Sequence, residues 1–238
     1  MNKKSLPVLL PVRSLIFVLV FIIGSAVTGR ELAEISNWWS ITATLVNVLT
    51  IVLLVFAARR DGQTYRELIN YQKGRTKLRQ IVLVSMVILL VGMGGMYLAG
   101  FLCYRKLPYL APMMIAPIPA VLAVINIPLL PITTALAEDG LYLGYGVNHI
   151  ENRYAAVLVP AFFFALQHSF IPTLPDMRYI IYRFISFLPL TVILCHYYRK
   201  HRDPLPVMIG HALIDAATVF QILATSVVPG FYEKMSKM

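Results

Sequence analysis

The chain alternates between long apolar runs and short polar turns. Ser14–Gly29 is the first run, Trp38–Ala58 the second and Ile81–Tyr104 the third. About 20 apolar residues cross a bilayer as a helix, so each run predicts a spanning segment. Leu107–Ile127 is apolar but broken by Pro108, Pro112, Pro117 and Pro119, and reads as a kinked span or a re-entrant piece. Pro128–His149 predicts the next helix. Tyr154–Phe170, Tyr179–Tyr198 and Pro204–Val228 follow. The pattern predicts an all-α polytopic membrane helix bundle with seven or eight transmembrane segments. The runs are continuous and do not alternate, which excludes a membrane barrel. No internal repeat or soluble module interrupts them. The chain reads as one continuous membrane domain, with an N-terminal transmembrane region at 1–106 and a region at 107–238 that holds most of the intramembrane polar residues.

Composition strengthens that picture. Of 238 residues, 58% are hydrophobic and 13% charged, and the mean hydropathy is +0.72. Soluble domains are about 45–50% apolar and about 25% charged. The net charge of +10 lies in the segments between apolar runs, which points to anionic lipid rather than nucleic acid. Arg59–Gln80 is the most basic segment, so the positive-inside rule places it, and with it the N-terminus, in the cytoplasm of a multi-pass cell-membrane protein. The basic start with Lys3, Lys4 and Arg13 resembles a signal peptide but reads better as the flank of an uncleaved first span. Parity then conflicts with two full crossings between Lys106 and His149, and a re-entrant 107–127 removes the conflict. Cys103 and Cys195 lack metal spacing and form no disulfide framework. Gly92, Gly94 and Gly95, and the pair Gly140 and Gly144, suit close helix contact.

The candidate chemistry lies in the few titratable groups inside apolar runs. Of eleven acids, only Glu138, Asp139 and Asp215 fall there. Of five histidines, only His168 and His211 do. An acid at the centre of a spanning helix costs about 2.5–3.5 kcal/mol, which makes it a functional-site candidate. Counted from the turn at about residue 150, from Tyr154 and from Pro204, helix rise puts Glu138 roughly 18 Å, His168 roughly 21 Å and His211 roughly 10 Å deep, depths that tilt can make coincide. His211 and Asp215 are i,i+4 and share a face, as do Phe164 and His168. A carboxylate beside an imidazole fixes its tautomer and orientation. Arg183, inside a span, reads as a pairing or snorkelling residue rather than a catalytic one.

Glu138-Asp139-x-x-x-Leu143, Phe164-x-x-x-His168 and His211-x-x-x-Asp215 together resemble the CAAX protease and bacteriocin-processing family (CPBP, also called Abi) of intramembrane metalloproteases. The family pattern is Glu-Glu-x-x-x-Arg, Phe-x-x-x-His and His-x-x-x-Asn or Asp on successive helices. Asp139 and Leu143 depart from it. With Leu143 where arginine is expected, Asp139 needs another cation, such as Arg178 or Arg183, or a proton. The resemblance implies an endopeptidase acting on a peptide or lipidated protein tail. It implies Glu138 as the base that activates water, and His168 and His211 as ligands of a metal, with zinc the tentative choice and Glu138 beside them, or as groups that position water and stabilise the oxyanion. Asp215 would orient His211, and Asp139 would support Glu138 or the metal shell. A catalytically inactive relative acting as scaffold, bacteriocin-immunity or regulatory protein would keep the same bundle. A proton- or ion-coupled transporter would also place acids and histidines at mid-membrane.

Overall fold

In the computed structural model every regular element among the described residues, 8–236 other than 108 and 110, is helical. Lys3, Lys4 and Pro108 of the sequence reading lie outside those residues. Seven apolar helices carry the fold: α1 (Val12–Thr28), α2 (Trp39–Arg60), α3 (Leu78–Tyr104), α4 (Ala120–Val147), α5 (Ala155–His168), α6 (Met177–His201) and α7 (Leu205–Val227). Five of them, α2, α3, α4, α6 and α7, are long and apolar enough to cross a membrane. The other two, α1 and α5, are shorter apolar helices. Exposed large side chains such as Leu45, Phe56, Leu90, Val121, Ile132 and Phe220 lie along the long helices. An apolar surface that extensive belongs against lipid.

Leu107–Ile127 does not form a kinked span of its own: among its described residues the long helix begins only at Ala120. Pro112–Ile115 form a 3₁₀ turn, and the last part of the segment is the start of α4. The helix expected from Pro128 therefore begins at Ala120 and runs through Pro128 and Pro131. Proline is tolerated in a membrane helix because neighbours and side-chain hydroxyls satisfy the freed carbonyls. Among the described residues, one helix between 105 and 148 is long and apolar enough to cross a membrane, so the two crossings that raised the parity conflict are not required.

Contacts sort the turns onto two faces. On one, Asn148 accepts a hydrogen bond from Arg202, and Arg75 donates to the carbonyls of His201 and Arg202. Thr76 donates to Asp203, and Asn70 to Tyr198. The basic 61–77 segment therefore lies beside the α4–α5 and α6–α7 turns. On the other face, Ser36 donates to the carbonyl of Thr173, and Trp39 to that of Met114.

In the bundle, α6 packs against α3 and α5, α7 against α3 and α4, and α4 against α2. Gly140 and Gly144 do what their spacing promised. A Cβ at Gly140 would lie 2.5 Å from Tyr65 Oη, and one at Gly144 2.8 Å from Ile69 Cγ2. The partner is the short helix Tyr65–Leu68 of the basic segment, whose Tyr65 Oη donates to the carbonyl of Leu136 at 2.5 Å. That short helix starts with a reciprocal cap between Thr64 and Glu67. Hydrogen bonds from the Thr64 backbone and side chain hold the Glu67 carboxyl below the usual carboxylate range.

Candidate active site

From Ala135 to Val147, α4 is wound as a π-helix, a widened form that is rare and recurs at functional sites. Glu138 and Asp139 project from this stretch and are both buried. His168 is the last residue of α5. At 14 residues that helix is about 21 Å long, short of the about 30 Å hydrocarbon core. His168 is thus set inside the bundle rather than at the far surface. A helix end at that depth needs donors for its free carbonyls. Arg183 supplies them: Nε donates to the carbonyl of His168 at 3.2 Å and Nη2 to that of Ile171 at 3.4 Å. Its guanidinium lies over the Phe187 ring, on which His168 stacks with centroids 3.7 Å apart. Arg183 is a pairing residue, as the sequence suggested.

All five sequence-predicted residues come together. Oε2 of Glu138 is 3.8 Å from Nε2 of His168 and 3.9 Å from Nε2 of His211. Nε2 of His211 is 4.0 Å from Oδ2 of Asp215. Both imidazoles are held from behind. Nδ1 of His168 donates to the carbonyl of Phe164 at 2.8 Å, and Nδ1 of His211 to Oδ1 of Asp139 at 3.3 Å. A carbonyl only accepts, so the proton of His168 is on Nδ1 and its Nε2 presents a lone pair. The i,i+4 spacing had pointed to Asp215 as the group that orients His211. The residue on Nδ1 is Asp139, whereas Asp215 faces Nε2 from the cavity side.

The cluster forms part of the wall of a cavity of about 440 Å³. Its other walls are largely apolar and include Trp39, Met93, Met96, Tyr97, Phe187 and Leu190. Oε2 of Glu138 and Oδ2 of Asp215 are buried without a hydrogen-bond partner. With the Nε2 lone pair of His168 they put three acceptors in one cluster around His211. What belongs among acceptors is a donor or a cation.

Residues 120–217 match the family model described as "Rce1-like: Type II CAAX prenyl endopeptidase Rce1-like". That segment is similar to the CAAX protease family. All five site residues lie inside it. No curated protein and no solved structure matches the chain.

The CAAX protease resemblance implied a metal, and the residues test that directly. Two imidazoles and a carboxylate are the right donors for catalytic zinc. Their separations of 3.8 and 3.9 Å are wider than the about 3.3 Å that two ligands keep on one tetrahedral zinc with bonds of about 2.0–2.1 Å. Among the described residues, no three His, Cys, Asp or Glu groups are placed to hold a metal ion. As they stand, the donors suit a hydrogen-bonded water.

The cation near the CAAX motif is neither of those expected. Arg178 lies over the Tyr104 ring and Arg183 caps α5. Instead Arg13, from α1, reaches Glu138: Nη2 and Oε1 are 2.9 Å apart. Its neighbours Asn47, Thr50 and Gln167 are also buried. Sequence reading missed all four. It weighed Arg13 as basic flank and enumerated only acids and histidines inside the runs. The available signal was that Asn47, Thr50 and Gln167 are hydrogen-bonding residues within apolar helices. Leu143, at the motif's arginine position, is fully buried in an apolar cluster with Leu10, Leu54 and Val147.

Proposed function

We propose that the protein is an intramembrane endopeptidase of the CAAX protease type, in which Glu138 activates a water molecule. The observation that carries this reading is the approach of Glu138 Oε2, His168 Nε2 and His211 Nε2 to within 3.8–3.9 Å on one cavity wall. A water held there donates one proton to Glu138 Oε2 and the other to an imidazole lone pair. Glu138 takes a proton as the water oxygen attacks the peptide carbonyl carbon. It then returns the proton to the nitrogen as the C–N bond breaks. The imidazoles are placed to donate to the oxyanion once protonated. Asp139 fixes the ring of His211, the task an orienting carboxylate performs behind many catalytic histidines.

The substrate is a peptide or lipidated protein tail, and the apolar cavity suits the lipid part. The basic face carrying 61–77 is the cytoplasmic one by the positive-inside rule. The protein would thus be a multi-pass cell-membrane enzyme with its N-terminus on that side.

The test is cleavage of prenylated and unmodified peptides by the purified protein in proteoliposomes. Cleavage lost in both Glu138→Gln and His168→Ala is the expected result. No cleavage of any peptide by the unmutated protein, or equal cleavage by the variants, overturns the reading. Zinc would require the donors to close by about half an ångström. On the present spacing, cleavage is expected to survive a chelator. One metal per chain, lost in His168→Ala, would establish the zinc form. The inactive-relative reading was motivated by Leu143, and the Arg13–Glu138 pair weakens that motive.

A further inference from the structure

The two carboxylate oxygens of Glu138 have different surroundings. Oε2 faces the imidazoles, and Oε1 accepts from Nη2 of Arg13 at 2.9 Å. Arg13 is only 1% exposed. Its guanidinium also donates to Oγ1 of Thr50 at 2.8 Å, to Oδ1 of Asn47 and to Oε1 of Gln167. Those three acceptors are neutral, so Glu138 is the one carboxylate among its hydrogen-bonded partners. The acceptors are themselves fixed. Asn47 Nδ2 donates to Thr133 and Thr134 of α4, and Gln167 Oε1 also accepts from Tyr142 Oη at 3.1 Å. A planar guanidinium bonded from α2, α4 and α5 has one orientation. It is not a side chain snorkelling to the membrane surface. The other buried arginine, Arg183, is engaged with backbone carbonyls at the end of α5.

We propose that Arg13 is a positioning residue of the site, a counter-charge supplied by the first helix that fixes Glu138 with Oε2 toward the reacting water. The arginine missing from position 143 is thereby replaced from 125 positions upstream of Glu138, and the acid it serves is Glu138 rather than Asp139. The kinetic consequence rests on the peptidase reading, but the ion pair does not.

The test therefore uses two readouts on the full chain in proteoliposomes. The first is kinetic. Arg13→Met is expected to lower kcat about a hundredfold, the scale of a misplaced general base, with KM within about threefold. Arg13→Lys, which keeps the charge, recovers part of that rate. The second is infrared spectroscopy, which needs no substrate. A buried carboxylate stripped of its counter-charge takes up a proton. Arg13→Met should therefore gain a protonated-carboxyl band beyond any that the unmutated protein shows, and Arg13→Met/Glu138→Gln should lack that added band. An Arg13→Met protein that folds, cleaves at the unmutated rate and shows no new band overturns the proposal while leaving the peptidase reading intact. The new band in a protein that never cleaves supports the pairing and sinks the peptidase reading instead. Should Arg13→Met fail to fold, the double variant Arg13→Met/Glu138→Gln removes both charges and should restore folding. Failure to restore it also overturns the proposal.

Discussion

At the scale of single residues, the site is a set of divided duties. On the proposed peptidase reading Glu138 takes the proton, and Glu138→Gln should lower kcat by about 10²–10⁴-fold in a proteoliposome assay. Asp139 and Asp215 are chemically alike but differently placed. Asp139 holds the rear nitrogen of His211, whereas Asp215 faces the front one across 4.0 Å. Asp139→Asn should therefore cost about 10–100-fold in kcat/KM. Asp215→Asn, a residue the family motif allows, should cost less, and a side-by-side measurement decides. The five core residues were legible because acids and histidines are scarce inside apolar runs, so each one there demanded a reason. The roles of Asp139 and Asp215 were not legible. Helical spacing finds same-helix partners, and the partner of His211 Nδ1 comes from another helix. Arg13 was hidden for a different reason: a cation near a helix start is the commonest feature of a membrane flank.

At the scale of elements, the most informative departure is α4. The prolines of 107–127 read as breakers, and the helix was started at Pro128. A membrane helix tolerates proline in its interior, and here the helix continues through Pro128 and Pro131. The ends of α2, α3, α6 and α7 were readable within a few residues, because polar turns mark them. The π winding of Ala135–Val147 leaves no mark in a hydropathy pattern. Its close contact with the Tyr65–Leu68 helix depends on two glycines. Gly144→Val would push a side chain into Ile69 and should destabilise the protein by about 1–3 kcal/mol, read as a lowered melting temperature in micelles. The Thr64–Glu67 cap makes a pH prediction. The Glu67 carboxyl is held low by hydrogen bonds from Thr64. The stabilisation is therefore present above the ordinary carboxylate range and lost as pH falls through the lowered value. Hydrogen exchange at the Glu67 amide, which donates to Thr64 Oγ1, should speed up there, with the transmembrane amides unaffected.

At the scale of the whole molecule, the two-faced sorting of turns can be tested directly. In a Cys103→Ser background, cysteines placed at the exposed Lys73 and Arg153 should react with an impermeant thiol reagent from one side of the membrane. Those at the exposed Glu31 and Asp176 should react only from the other. The bundle is also more unified than a split at residue 106 implies, because α1 and α2 close the site from behind. The order of synthesis then matters. Arg13 leaves the ribosome long before Glu138 exists, and an arginine inside the bilayer without its acid is costly. Until its acid arrives, the guanidinium must ride at headgroup level on its flexible stem. The first helix therefore reaches its final depth only after the fourth has been inserted, and a nascent chain stalled between them would display an unfinished, loosely seated anchor to the quality-control machinery of the membrane.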